Sequence, residues 1–96
     1  MENPSQMFDL PGLVAAVSGA SPGLGVTFAE GLAAAGAAVA VAARRRDRID
    51  AVAARINEAG GRAVAIECDV TDAESTEALM ATTVEQLGGL DVVVAN

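Results

Sequence analysis

Residues 17–25, VSGASPGLG, place three glycines and two serines directly behind an apolar run. Gly19, Gly23 and Gly25 follow a G-x-x-x-G-x-G spacing. The G-x-G-x-x-G fingerprint does not fit, because Phe28 stands where its third glycine would fall. Glycine tolerates positive φ and lets a ligand come close to the main chain. Which property is in use depends on what the stretch connects.

Four short β-rich segments recur along the chain, at residues 13–17, 38–43, 63–67 and 90–95. Val14, Val39 and Val64 are spaced 25 residues apart. Between the segments, apolar residues return with helical period: Leu24, Phe28 and Leu32; Ile49, Val52 and Ile56; Met80, Val84 and Leu87. Each set predicts the buried face of a helix. Thr71 and Glu74 fit a T-x-x-E capping box ahead of the third helix. Gly36, Gly60 and Gly88 stand where the three helices should stop.

Strands alternating with helices of this length are βαβ units, and these build a parallel sheet with right-handed crossovers. The near-continuous apolar strands VAVAA, AVAI and VVVA suit a sheet covered on both faces. The expected fold is therefore α/β: a Rossmann-like, doubly wound parallel sheet. The chain supplies the first four strands and three helices of a three-layer α/β/α sandwich, with residues 1–11 as an N-terminal extension and 12–96 as the folded portion.

On this scaffold the opening stretch is the turn from the first strand into the first helix. A helix N-terminus presents free N–H groups and the positive end of a dipole, so it attracts phosphate. Glycines there permit a tight turn and close approach of a pyrophosphate, while Gly25 lets the helix pack closely on the strand. Ser18 and Ser21 add hydroxyl groups. The plain alternative is that a chain with ten glycines falls into loose motifs by chance.

Composition narrows the function classes. Thirteen acidic and six basic residues leave a net charge of −7. That balance disfavours nucleic acid and anionic membranes as partners. All six basic residues are arginines, and Arg44, Arg45, Arg46 and Arg48 form one cluster, a local anion site in an acidic chain. The lone Cys68 cannot form an internal disulfide, which suits a reducing, cytoplasmic compartment. The longest run without a polar side chain, residues 31–43, is 13 residues, short of the roughly 20 that a membrane span needs. One cysteine and no histidine leave no expected metal site.

VSGASPGLG resembles the T-G-x-x-x-G-[IL]-G segment of the short-chain dehydrogenase/reductases, with Ser18 in place of the usual threonine. CDVTD (68–72) is similar to that family's segment after strand three, and DVVVAN (91–96) to the start of its D-[IV]-[LV]-V-N-N-A-G motif, with Ala95 replacing the first asparagine. The resemblance implies that Gly19, Ser21, Pro22, Gly23, Leu24 and Gly25 wrap a pyrophosphate. It further implies that Asp69 accepts a hydrogen bond from the adenine amino group, Val70 touches the ring, and Asn96 lies beside the adenosine ribose. The plain readings are a solvated turn for Asp69 and a polar strand end for Asn96.

A site for NAD usually carries Asp or Glu at the end of strand two, to grip the ribose 2′-hydroxyl. Here that stretch reads AARRR, with Ala43 at the acidic position, Arg44 next and Arg45 after it. An arginine fork binds a 2′-phosphate that an aspartate would repel. NADP is the expected cofactor, with Arg44 and Arg45 as the specificity candidates. A solvated start to the second helix is the alternative, and the helix dipole disfavours it.

The family's Tyr-x-x-x-Lys pair is absent, since the sequence holds no tyrosine and no lysine. The 96 residues therefore include no expected catalytic residue and should be inactive alone. The apolar fourth strand would be left as a free edge. The expectation is the N-terminal, cofactor-binding half of a longer oxidoreductase that moves a hydride between NADP(H) and a carbonyl or alcohol. Such a parent would be a homodimer or homotetramer. Two alternatives stay open: a non-catalytic NADP-binding module, and an α/β fragment that binds nothing.

Overall fold

The structure, a computed structural model, describes residues 12–19, 24–69 and 71–95. The elements run β1 (Val14–Ser18), α1 (Leu24–Ala34), β2 (Ala38–Ala43), α2 (Arg46–Glu58), β3 (Arg62–Glu67), α3 (Ala73–Leu87) and β4 (Val92–Ala95). All strand pairs are parallel, in the order β3-β2-β1-β4. The chain winds outward from β1 to β3, then returns to pair β4 on the far side of β1. This is the doubly wound arrangement expected. β1 ends one residue later than the pattern suggested, and β4 starts at Val92, because Asp91 is occupied by the first residue of β1.

Side chains alternate across the sheet. Val17, Val39, Val41 and Ala63 pack beneath α1 and α2, against Ala29, Ala33, Ile49, Val52 and Ile56. Val14, Ala16, Ala38 and Ala40 point the other way, toward Leu87 of α3, while Ala42 meets Cys68 and Leu79. With helices on both faces, every residue of β1 is buried, which is why the strand carries no polar alternation. Burying a side chain such as Ile49 or Val39 fully contributes about 1.5–3 kcal/mol.

Two of the three predicted helix faces need correction. The face α1 turns to the sheet is Gly25, Ala29 and Ala33, and Phe28 is 49% exposed. These small residues let α1 sit close on Val17, Val39 and Val41, and Phe28 falls outside that stripe. α3 buries Leu79, Thr83 and Leu87, leaving Met80 and Val84 exposed. Thr83 satisfies itself there by donating its hydroxyl to the Leu79 carbonyl at 2.7 Å. The α2 face of Ile49, Val52 and Ile56 is buried as expected.

The helix stops at Gly36, Gly60 and Gly88 hold, all with left-handed φ (105°, 92° and 86°). The capping box does not. Asp72 is the N-cap of α3, its side chain accepting from the Glu74 N–H at 3.0 Å. Thr71 lies one residue too early, and its hydroxyl is bonded to Asp69 instead.

Candidate functional site

The strands end along a common edge. Ser18 lies opposite Ala42 on one side and Ala95 on the other, and Ala43 lies opposite Glu67. The loops leaving this edge therefore carry Gly19, Arg44 and Asp69 into one neighbourhood. Between β1 and β4 the winding reverses, and ligands of open α/β sheets bind in the crevice outside such a switch point.

The β1–α1 turn begins at Gly19, whose φ is +67°. An L side chain with a branched Cβ is strained in that conformation. Ser18 is 6% exposed and donates its hydroxyl to the Val94 carbonyl at 3.3 Å. Its proton is thus spent on joining β1 to β4 rather than on a ligand. Leu24 opens α1, Gly25 is buried in its first turn, and that turn contains no acidic residue. A helix N-terminus carries the positive end of the dipole, and this one follows directly from the carboxyl edge of β1. Ser21, Pro22, Gly23, Val70 and Asn96 lie outside the described residues.

The arginine cluster divides by partner. Arg45 caps α2 in an extended conformation and places Nε 3.5 Å from Asp47. Arg46 bonds Asp50 at 3.2 Å, one turn along the helix. Arg44 forms no ion pair among the described residues. It is exposed at the end of β2, close enough to Asp69 for its charge to act on that carboxyl group.

Asp69 is held from several directions. Its N–H donates to Ser75 Oγ at 2.9 Å, and its carbonyl accepts from the Asp72 N–H at 3.0 Å. The preceding Cys68 N–H donates to the Ala43 carbonyl at 2.9 Å, which fastens the loop to β2. Thr71 donates to Asp69 Oδ1 twice, from its hydroxyl at 2.7 Å and its N–H at 3.0 Å. The Thr71 hydroxyl, then its N–H, hold the Asp69 carboxyl below the usual carboxylate range; slight desolvation opposes them and Arg44 adds to them. Sequence reasoning missed this role of Thr71. The available signal was the D-x-T spacing, which favours a local Asx-type turn over a capping box.

The arrangement offers a positive helix end, a cation and a carboxylate acceptor around one crevice. Two grooves of about 260 and 360 Å³ lie at the opposite edge of the sheet, and both are lined by Ala33, Gly36, Gly60 and Gly61. Arg62 lines the first, and the ion-paired Glu30 and Arg55 line the second, with Arg55 Nη2 3.6 Å from Glu30 Oε1. Among the described residues no three His, Cys, Asp or Glu side chains come together to hold a metal ion, and no helix is long and apolar enough to cross a membrane.

The family model for short chain dehydrogenase matches residues 13–96. An uncharacterised oxidoreductase of Methylorubrum extorquens is 45% identical over 91 residues, covering 94% of this chain and 37% of the relative. A fatty acyl-CoA reductase of Mycobacterium tuberculosis is 37% identical over 91 residues, covering 95% of this chain and 31% of the relative. Among solved structures, a dehydrogenase/reductase from Sinorhizobium meliloti superposes with a TM-score of 0.91 at 45% identity, covering 96% of this chain and 37% of that one. Hydroxysteroid dehydrogenase from Escherichia coli does so at 0.91 and 35%, covering 96% and 39%. The chain spans roughly a third of the length of these relatives.

Proposed function

The chain belongs to the short chain dehydrogenase family, and from that premise we propose that it is the cofactor-binding part of an oxidoreductase using NADP(H) on a carbonyl or alcohol. The observation that carries the reading is the convergence of Gly19, the α1 N-terminus, Arg44 and Asp69 on one edge, at the point where the sheet reverses.

The residues present fit a dinucleotide. Gly19 and Gly25 leave the main chain bare around the α1 N-terminus, where a pyrophosphate would rest. Asp69 would accept from the adenine amino group. Arg44, with no carboxylate at ion-pair distance among the described residues, would take the 2′-phosphate. Ser21, Pro22, Gly23, Leu24, Val70 and Asn96 complete the proposed set from sequence. When bound, the nicotinamide supplies or accepts the hydride. The 96 residues contain no Tyr, Lys or His, so a proton donor for the substrate would belong to the rest of the parent protein.

The substrates named for two relatives, a fatty acyl-CoA and a hydroxysteroid, share only chemistry at a carbonyl or hydroxyl carbon. The proposed substrate class therefore stops there. The alternative kept beside it is a module that binds NADP without catalysis.

The test is calorimetry of the full-length protein with NADP and NAD, followed by nucleotide absorbance during incubation with a panel of ketones, aldehydes and alcohols. Binding with turnover supports the enzyme, and binding without turnover on any of them supports the module. No binding of either nucleotide removes both readings. Cytoplasmic location and a homodimer or homotetramer remain part of the proposal, and sedimentation of the same protein checks the assembly.

A further inference from the structure

We propose that Thr71 is a positioning residue for the base end of the cofactor, one that fixes Asp69 so that Oδ2 alone faces the ligand as an acceptor and selects a 6-amino purine over a 6-oxo purine. This rests on the cofactor reading above.

The geometry of the β3–α3 loop carries it. Both donors of Thr71 converge on one oxygen, Oδ1, at 2.7 and 3.0 Å. No described residue hydrogen-bonds Oδ2. The backbone of Asp69 is anchored independently, by Ser75 Oγ on its N–H and the Asp72 N–H on its carbonyl. With the backbone held and one oxygen occupied, the remaining torsion of the side chain has little freedom. The carboxylate is thereby held at the carboxyl edge of the sheet, within range of the Arg44 charge, with Oδ1 taken by Thr71.

The surrounding charges reinforce this state. Arg44 acts on Asp69 from the end of β2. Within the loop, Asp72 spends Oδ1 on the Glu74 N–H, and the Cys68 thiol is directed at the Ser75 carbonyl at 3.7 Å. Neither competes for Asp69. An ionised carboxylate can only accept hydrogen bonds. A 6-amino group donates to it, whereas a 6-oxo group would oppose acceptor to acceptor. A site that hydrogen-bonds one substituent rejects the analogue that cannot donate.

The test uses the full-length protein and calorimetry with NADP and its hypoxanthine analogue. The wild type should prefer NADP by about tenfold, the scale of one hydrogen bond to a charged group. Thr71→Val keeps the shape and the N–H but loses the hydroxyl. It should weaken NADP about three- to tenfold, leave the hypoxanthine analogue unchanged and so narrow the preference by the same factor. Thr71→Ser should restore both values. The acid limb of NADP affinity should also move to higher pH in Thr71→Val, because the largest influence lowering the Asp69 pKa is gone.

Equal weakening of both dinucleotides, or a lower melting temperature with unchanged preference, would overturn the positioning role. Asp69→Asn separates the two levels. If Asp69→Asn erases the preference for NADP while Thr71→Val does not touch it, only the role of Thr71 falls. If Asp69→Asn leaves NADP affinity and preference intact, the adenine reading of Asp69 falls with it.

Discussion

Asp91 and Val14, 77 residues apart, are joined in both directions: the Asp91 N–H donates to the Val14 carbonyl at 2.8 Å, and Asp91 Oδ2 accepts from the Val14 N–H at 2.8 Å. The pair sits one step before Ala15 and Val92 meet in register. It therefore fixes where β4 lies along β1, and with it the depth of the crevice between their far ends. Ser18 fastens that far end through Val94.

Replacing Asp91 by alanine should destabilise the protein by about 1–3 kcal/mol, because the N–H of the buried Val14 loses its side-chain partner and a charge-assisted bond. Asp91→Asn keeps an acceptor at nearly the same place and should recover more than half of the loss. Urea unfolding of the full-length protein and both variants measures this. Wild-type stability in Asp91→Ala would show that the bond is exchanged for water at no cost.

A second test lies at the opposite edge of the sheet. A Cβ added at Gly61 would meet Ile56 Cγ2 at 2.8 Å, the Ile56 carbonyl at 3.1 Å and Ala33 Cβ at 3.4 Å. Ile56 is buried and its carbonyl already accepts from the Gly61 N–H, so neither contact can move cheaply. Gly61→Ala should cost about 1–3 kcal/mol by overpacking. Thermal melting reports it, and dinucleotide affinity should stay unchanged, since this edge is remote from Gly19 and Arg44. A variant as stable as the wild type would mean that the α2–β3 turn opens more readily than its contacts suggest.

The sheet was legible in the sequence because strands buried on both faces leave an unbroken apolar signature, as in Val39–Ala40–Val41, and the glycines mark the helix ends. Which stripe of a helix meets the sheet was less so. Leu79–Thr83 and Met80–Val84 are adjacent stripes about 100° apart, and periodicity alone cannot choose between them. Packing chooses the stripe whose smaller residues follow the alanine surface, which is why Thr83 is buried and Val84 is not. The location of the candidate site was legible, because element order alone sets the switch point. The division of labour among Arg44, Arg45 and Arg46 was not, since it depends on which carboxylates of α2 each side chain can reach. The capping residue was misplaced by one, because T-x-x-E competes with an Asp72 that begins the helix directly.

Gly19→Val should abolish dinucleotide binding. A valine forced to a φ near +67° carries strain of about 1–3 kcal/mol, and its γ-methyls would project where a pyrophosphate must approach. Gly19→Ala carries similar backbone strain with less bulk, so it should retain weak binding. Calorimetry with NADP, on variants shown by circular dichroism to be folded, separates the two effects. Unchanged affinity in Gly19→Val would place the phosphates elsewhere.

Arg44→Ala should cost NADP a charge-assisted hydrogen bond, about 1.5–3 kcal/mol, or about 10- to 150-fold in affinity. NAD, which lacks the 2′-phosphate, should bind as before. Arg45→Ala serves as the internal control, because the Arg45 guanidinium lies 3.5 Å from Asp47 and would have to leave that partner to reach a phosphate. Its effect should be the smaller one. The double change Ala43→Asp with Arg44→Ala should go further and favour NAD, since a carboxylate at the end of β2 repels the 2′-phosphate and accepts from the ribose hydroxyls. Ala43 is only half-buried, so the new carboxylate can reach solvent and need not disrupt the cluster under α2. Dissociation constants for both nucleotides across these variants decide the matter: equal loss for NAD and NADP in Arg44→Ala would assign Arg44 to the pyrophosphate or to Asp69 rather than to cofactor choice.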